Sequence, residues 1–357
     1  MRRISRLVMV GGVPVGGGAP VTVQSMTNTP TRDVRATTRQ INRLAAGGAD
    51  LVRVSVPDDE SAAALGALVA SSPVPLVADI HFRADLALRA VEAGVAKLRL
   101  NPGNIRRRRD ILEVAGRAFE AGIPIRIGIN SGSLPGDLRE RYGGVNPDSM
   151  WAAAERHLSI LREAEFENVV LSFKASSALL TVAANEKAAA ECDLPLHIGV
   201  TEAGPSVIGA ARNAVAASIL LSKGIGDTLR VSLSGPPEDE VPVALEILSS
   251  LGLRGGVPRL VSCPTCARCR IDVGRLSEMV MKKLRGVQGD FTVAVMGCEV
   301  NGPGEAREAD LAVTGSPSGI IFFRRGRRLP GRVAASDLAQ RLERELAALA
   351  ANSGGRS

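Results

Sequence analysis

The chain has 357 residues, of which 45% are hydrophobic and 23% charged, the composition of a globular protein with length for one large core plus a smaller domain. A formal charge of +7 favours anionic ligands, but aromatic residues are only 3%, too few for a base-stacking surface, so nucleic acid is not an expected partner. No segment approaches the roughly 20 apolar residues that a bilayer span requires, which excludes a membrane-spanning helix.

The basic start from Met1 to Gly12 has an apolar run too short for a signal peptide. Five cysteines, two of them in a CxxC, suit reduced thiols and metal better than disulfides, and the chain is read as cytoplasmic.

From about residue 20 to 235 one unit recurs: a short β-branched run, a polar loop, then an Ala-rich amphipathic stretch. The runs are Pro20–Met26, Leu51–Val56, Pro75–Ile80, Ala96–Asn101, Pro124–Asn130, Asn168–Ala175, Pro195–Glu202 and Asp227–Ser234. Helical patterns such as Arg35–Gly47, Ala84–Gly94, Arg109–Gly122, Ser149–Ala164 and Val207–Gly224 lie between them, several closing on Gly as helix C-termini do. Eight strands alternating with helices predict an α/β fold, a (β/α)8 TIM barrel.

Buried parallel strands are ordinarily apolar on both faces. Here one face is polar. Arg53 and Ser55 lie opposite Val52, Val54 and Val56; Lys97, Arg99 and Asn101 lie opposite Leu98 and Leu100. Arg126, Gly128 and Asn130 repeat the pattern, the sixth strand ends in Lys174, the third in Asp79 and His81, the seventh in Glu202, and the eighth in Arg230 and Ser232. Barrel enzymes keep their active sites at the strands' C-terminal ends. Cations gathered there need an anion between them, and Arg and Lys pair well with phosphate, so the set reads as a pocket for a compact di-anionic ligand such as a diphosphate. Asp79 and His81 suit hydroxyl binding or proton transfer. His197, inside the seventh strand, reads as packing, His157 as structural or surface, and Cys192 as an inert thiol.

After Gly255-Gly256 the pattern changes to a small α+β domain: a helix over Gly274–Leu284, a strand over Phe291–Val295 and a strand pair around Ala312–Phe323. The division is residues 1–254 for the substrate-binding barrel and 255–357 for a metal-cluster domain, with the tail Ala347–Ser357 expected to fray. This domain holds Cys263-Pro264-Thr265-Cys266, then Cys269, and thirty residues on Gly297-Cys298-Glu299-Val300-Asn301-Gly302-Pro303-Gly304-Glu305. Such thiolate sets bind zinc or an iron–sulfur cluster, and CxxCxxC with Cys298 would make an all-thiolate site. The arginine runs Arg106 to Arg109 and Arg324 to Arg328 read as solvated turns or as anion-docking patches.

Together, Val23-Gln24-Ser25-Met26-Thr27-Asn28-Thr29, Val77-Ala78-Asp79-Ile80-His81-Phe82, Leu100-Asn101-Pro102-Gly103-Asn104-Ile105, Ile198-Gly199-Val200-Thr201-Glu202-Ala203-Gly204, Gly226-Asp227-Thr228-Leu229-Arg230-Val231-Ser232-Leu233 and both cysteine fragments closely resemble the 4-hydroxy-3-methylbut-2-enyl diphosphate synthase family, over nearly the whole chain. The resemblance implies a [4Fe–4S] cluster on Cys263, Cys266 and Cys298, with Glu305 as an oxygen-donor fourth ligand that can leave. Cys269 is a departure, since the family pattern does not require cysteine there. The implied substrate is 2-C-methyl-D-erythritol 2,4-cyclodiphosphate, opened reductively by two single electrons from flavodoxin or ferredoxin. By similarity Arg53, Arg99, Arg126, Lys174, Arg230 and Ser232 hold the diphosphate, assisted by Asn101 and Asn130. Asp79, His81 and Glu202 sit near the hydroxyls, with Glu202 moving the proton. A helix over Val241–Leu251 is expected to end near the barrel's bottom face, so a head-to-tail homodimer in which each cluster domain serves the partner's barrel is expected, as the family implies.

Overall fold

The computed structural model describes residues 2–101, 104–105, 107–284, 287, 289–298, 304, 307–316, 319–334 and 336–353, with 350–353 described by backbone alone. The chain divides into two compact units, Met1–Leu253 and Arg254–Ser357.

The first unit opens with a hairpin, β1 (Val8–Val10) and β2 (Val13–Val15), that sequence periodicity does not announce. Val10 and Val15 pack on Leu51, and Gly11 lies against Pro75 and Ala96, residues at or before the starts of barrel strands. The hairpin therefore closes the N-terminal end of the barrel, leaving the C-terminal end as the mouth.

Eight parallel strands follow: β3 (Thr22–Met26), β4 (Leu51–Val56), β5 (Leu76–Ile80), β6 (Lys97–Leu100), β7 (Ile125–Asn130), β8 (Val169–Lys174), β9 (His197–Ile198) and β10 (Thr228–Leu229). Each pairs with the next from β3 to β8, and β10 lies between β9 and β3. A bridge between Leu171 and Leu196 joins β8 to the β9 segment and completes the ring. The α/β barrel expected from the eight-fold alternation is the fold observed.

Helices between the strands begin where short polar side chains cap them. Asp33 accepts from the Ala36 N–H ahead of α1 (Val34–Ala46), and Asp58 from Ser61 ahead of α2 (Asp59–Ser71). α3 (Ala84–Glu92), α4 (Arg108–Glu120) and α5 (Gly136–Arg141) precede α6 (Pro147–Glu163), where Asn146 and Ser149 form a reciprocal capping box with Pro147 in the first turn. α7 (Ala178–Glu191), α8 (Ser206–Ser222) and α9 (Glu240–Ser250) complete the ring. The apolar core lies between strands and helices, and Val52, Val54, Val56, Ile125, Ile127 and Ile129 all belong to it. Their alternation partners consequently face the lumen.

Two strands are shorter than the pattern predicts. The seventh ladder stops at Ile198 because Gly199 takes φ +148°, where a Cβ would sit 2.1 Å from the Arg230 carbonyl oxygen. Glu202 thus lies past the strand, not at its end. The eighth ladder covers Thr228–Leu229, which puts Ser232 in the loop beyond.

The second unit is a five-stranded sheet in the order β11 (Arg259–Ser262), β12 (Thr292–Met296), β13 (Leu311–Ser316), β14 (Gly319–Arg324) and β15 (Arg327–Arg328). The first three run parallel and the last three antiparallel. α10 (Val273–Leu284) and a C-terminal helix, Leu338–Ser353, share its larger core. Of the tail Ala347–Ser357 expected to fray, the part to Ser353 is helical, because Leu342, Leu346 and Leu349 recur at helical spacing and bury against the sheet, and 354–357 lie outside the described residues.

Asp227 fastens the N-terminal arm to the barrel. It is 3% exposed, accepts from Ser5 Oγ and the Leu196 N–H, both at 2.8 Å, and pairs with Arg2 at 3.4 Å. Asp227→Ala leaves two buried donors unpaired and is expected to cost about 2–4 kcal/mol in urea unfolding.

Candidate functional site

The lumen-facing residues bring six cations into one barrel: Arg53, Lys97, Arg99, Arg126, Lys174 and Arg230. All are largely buried, Lys97 and Arg126 almost completely. The strand register makes the crowding unavoidable, since Arg99 and Arg126 are directly paired positions on β6 and β7. Gly128, two residues on from Arg126, lets the Arg99 guanidinium cross β7: a Cβ there would lie 2.7 Å from Arg99 Nε.

Two buried carboxylates answer this charge. Asp79 lies between Ser55 and Arg99 in the register and meets Arg99 Nη1 at 3.0 Å and Arg53 Nε at 3.5 Å. Burial pushes the Asp79 carboxyl up, but the Arg53 charge, the His81 hydrogen bond and the Arg99 charge outweigh it and hold it well below the usual range. Glu240, in the first turn of α9, is 4% exposed and accepts from Arg230 Nη2 at 3.2 Å and from the Leu233 N–H at 3.0 Å. Burial here exceeds the help from Arg230 and raises its carboxyl. Glu240 is the site residue that strand alternation misses, because it stands on a helix and looks like an exposed first-turn acid.

The positive charge is not matched. Among the described residues, Lys97 Nζ, Arg99 Nε, Arg126 Nε and Nη1, and Arg230 Nε are buried without a hydrogen-bond partner. Burial, with Arg126 and Arg53 nearby, drives the Lys97 ammonium well down, and burial with the surrounding cations does the same to Lys174. Burial lowers Arg53 to about 10 despite Asp79, with Arg230 and Arg99 pushing the same way. Arginine keeps its proton at neutral pH, so this depression expresses desolvation that an anion in the lumen would relieve.

His81, half-buried, places Nε2 3.0 Å from Arg99 Nη1 and 3.4 Å from Asp79 Oδ1, while Nδ1 is 2.7 Å from Asn104 Nδ2. Asp79 and His81 therefore act as a contacting pair, as their shared strand face predicts. Asn101 donates to Ser133 Oγ at 3.2 Å, and Ser133 reaches the Asn130 carbonyl at 3.3 Å, so the two asparagines are joined through a serine the sequence reading missed. His197 is packed, as expected, but in the lumen. It is fully buried, with Nδ1 3.3 Å from Thr228 Oγ1, and burial with Arg126, Lys174 and Lys97 lowers it well below its usual value. His157 is buried too, bonded through Nε2 to the Ile105 carbonyl at 3.0 Å.

Glu202 departs from expectation. It is exposed, adopts φ +53°, and its side chain bonds to no described residue. Phe82, next to His81, is also left-handed at φ +64° and 74% exposed. Bulky residues rarely hold that conformation, and such strain marks functional loops. Ser232 presents its carbonyl to Asn213 Nδ2 at 3.2 Å.

In the second unit, Cys263 follows β11 and Cys298 follows β12 by one intervening glycine, and these strands are adjacent and parallel. The Gly297 N–H donates to Cys263 Sγ at 3.1 Å, the kind of bond that supports a thiolate ligand. Cys298 is half-buried and Cys266 exposed. Among the described residues no three His, Cys, Asp or Glu side chains are gathered as one metal site. Cys266 starts a turn that the Cys269 N–H closes on the Cys266 carbonyl, and in it Cys269 is half-buried while Cys266 is exposed. Glu305 lies outside the described residues. The donor chemistry, thiols on two neighbouring strand ends with an amide aimed at one of them, fits an iron–sulfur cluster.

Asp79→Asn removes the charge that holds Arg53 and Arg99. It is expected to lower stability by about 3 kcal/mol at neutral pH, since breaking a buried pair strands its partners. A carboxyl depressed on folding contributes stability above its unfolded value of about 3.9 and loses it as pH falls through the folded value. Urea unfolding against pH should therefore show wild type and variant converging only in acid.

The GcpE TIM-barrel domain matches residues 5–245 and the GcpE protein C-terminal domain residues 259–348. The chain is 50% identical over 350 residues to a 4-hydroxy-3-methylbut-2-en-1-yl diphosphate synthase (flavodoxin) of Geobacter sulfurreducens, covering 97% of this chain and 99% of the relative. A protein of the same name from Natranaerobius thermophilus is 49% identical over 339 residues, 95% of each chain. Among solved structures, N-acetylneuraminic acid synthetase from Leptospira borgpetersenii superposes with a TM-score of 0.50 at 14% identity, over 71% of this chain and 92% of the other, which shows the barrel fold alone. With both of its domains matched and half its residues shared with such relatives over nearly its full length, the chain belongs to the GcpE family.

Proposed function

We propose that the chain forms (E)-4-hydroxy-3-methylbut-2-enyl diphosphate from 2-C-methyl-D-erythritol 2,4-cyclodiphosphate, and that the cationic lumen is where the cyclic diphosphate sits. The chain is an oxidoreductase of isoprenoid biosynthesis, in keeping with relatives named 4-hydroxy-3-methylbut-2-en-1-yl diphosphate synthase (flavodoxin). The observation that carries the site is the set of buried, unpartnered donors on Lys97, Arg99, Arg126 and Arg230, whose hydrogen-bond needs and mutual repulsion an anion would answer together. Arg53, Arg99, Arg126, Lys174 and Arg230 hold the two phosphates, with Ser232, Asn101 and Asn130 at the edge. The Asp79 and His81 pair orients a substrate hydroxyl, and Glu202, free to move in its strained turn, carries the proton for departing water. Two electrons and two protons convert the cyclic diphosphate into the open-chain product and one water.

Cys263, Cys266, Cys298 and Glu305 would hold a [4Fe–4S] cluster, which supplies the two electrons singly. Holding the diphosphate remotely fixes the reacting carbon and lets binding energy serve the chemical step. Flavodoxin, in the relatives' name, is the electron donor, with ferredoxin the alternative. Arg324 and Arg325 pair with Glu345 and Asp310, so Arg327 and Arg328 carry the open charge for an acidic donor. The reading further places the protein in the cytoplasm as a head-to-tail homodimer in which one chain's cluster domain serves its partner's barrel. No helix of the described residues is long and apolar enough to cross a membrane.

Protein purified without oxygen should be brown, with about four irons per chain, and Glu305→Ala should keep part of the iron while losing turnover. Colourless wild type carrying stoichiometric zinc would sink this reading in favour of a barrel transferase with a structural zinc ribbon. Arg126→Gln should raise the melting temperature of the ligand-free protein, because it removes a fully buried cation that lacks partners. It should also raise KM for the cyclodiphosphate by roughly 10- to 100-fold, the worth of a charge-assisted hydrogen bond of about 1.5–3 kcal/mol. A variant that melts lower and binds as wild type would contradict both expectations.

A further inference from the structure

Cys269 has no part in the proposed ligand set, yet it is built into the same loop. Its N–H donates to the Cys266 carbonyl at 3.0 Å, which makes 266–269 a hydrogen-bonded turn. Its Sγ accepts from the Cys266 N–H at 3.4 Å, so the sulfur already lies over the Cys266 backbone. The turn is pinned at its far end, where the Arg270 N–H donates to the Gly297 carbonyl at 2.7 Å. Behind it, Cys269 Sγ fills the position a Cβ on Gly297 would take, at 2.5 Å. Cys269 is therefore fixed and half-buried, while Cys266 is exposed and its side chain is free to rotate.

We propose that Cys266 and Cys269 are a reversible disulfide couple that withdraws Cys266 from the cluster's ligands once iron is lost. A turn of this kind keeps its end Cα atoms within about 7 Å, and a disulfide spans Cα separations of roughly 4.4–6.8 Å, so closing the bond needs rotation of Cys266 and little backbone movement. Cys263 is less well placed as a partner, because its sulfur is engaged by the Gly297 N–H at the end of the neighbouring strand. In the step, the two thiols lose two protons and two electrons and the S–S bond forms. A peroxide takes both protons and both electrons and becomes two waters, or an alcohol and a water, and a dithiol reverses the bridge by exchange. The bridge protects Cys266 from the irreversible acids that peroxide otherwise makes of an exposed thiol. The consequence for iron rests on the cluster reading; the bridge itself does not.

The test uses the full-length chain, stripped of iron by a chelator, exposed to hydrogen peroxide, alkylated, digested and mass-mapped. Wild type should give one internal bridge joining Cys266 to Cys269, take up no iron in that state, and regain uptake after dithiothreitol. Cys269→Ser, checked as folded by circular dichroism, should instead carry a sulfinic or sulfonic acid at Cys266 and recover no uptake. A wild-type bridge joining Cys263 to Cys266 or to Cys298, or no bridge at all, overturns the proposal whether or not the variant folds. Equal recovery of iron by wild type and variant also overturns it. If the bridge forms but reduced wild type never binds iron, the cluster reading fails while the disulfide stands.

Discussion

Unmatched positive charge inside the barrel is the constraint on which the rest of the structure depends. Five buried cations and the partly buried Arg230 share the lumen with Asp79 and Glu240, and several of their donors have no acceptor among the described residues. Buried like charges repel strongly because little water screens them. The fold holds them only because the register and the apolar core outside the strands leave them no other place. Val52, Val54 and Val56 bury against the helices, and that alone forces Arg53 inward; Ile125, Ile127 and Ile129 do the same to Arg126.

The two carboxylates do different work within this field. Asp79 is charged under all ordinary conditions, held so by Arg53, His81 and Arg99, and it keeps two guanidinium groups in fixed positions. Glu240 reaches in from the start of α9 and ties Arg230 to the Leu233 backbone, past the point where the β10 ladder ends. A short last strand needs such a tether, because Arg230 lies beyond the Thr228–Leu229 ladder that would otherwise orient it. The hairpin packs its valines on Leu51 at the opposite end of the barrel.

The barrel was legible in the sequence because helix and strand periods alternate eight times, and the polar lumen because its residues interrupt β-branched strands at every second position. What escaped was set by contacts remote in sequence. Glu240 lies 10 residues from Arg230 and on a helix, so no alternation reveals it. His197 faced the lumen, not an apolar layer, because one short strand gives too few residues to fix a face. Glu202 read as a strand end, but the backbone at Gly199 turns before it. The C-terminal helix was obscured by its Ala-rich composition, although Leu342, Leu346 and Leu349 carry its apolar stripe. In the cysteine loops, spacing identified the thiols, while the turn that joins Cys266 to Cys269 depends on hydrogen bonds that spacing does not encode.

The same accounting explains why a dianion suits the lumen better than a neutral sugar or a single carboxylate. A neutral ligand would meet the hydrogen-bond needs of Arg99, Arg126 and Arg230 but leave their repulsion in place. One carboxylate would offset part of the charge and reach part of the donors. A cyclic diphosphate brings two negative groups and several acceptor oxygens on a small rigid frame, matching donors that are spread around the lumen and fixed before it arrives. Under the proposed reading, the desolvation and repulsion that the buried cations carry become affinity for a doubly charged ligand, and the barrel strands themselves build that preference.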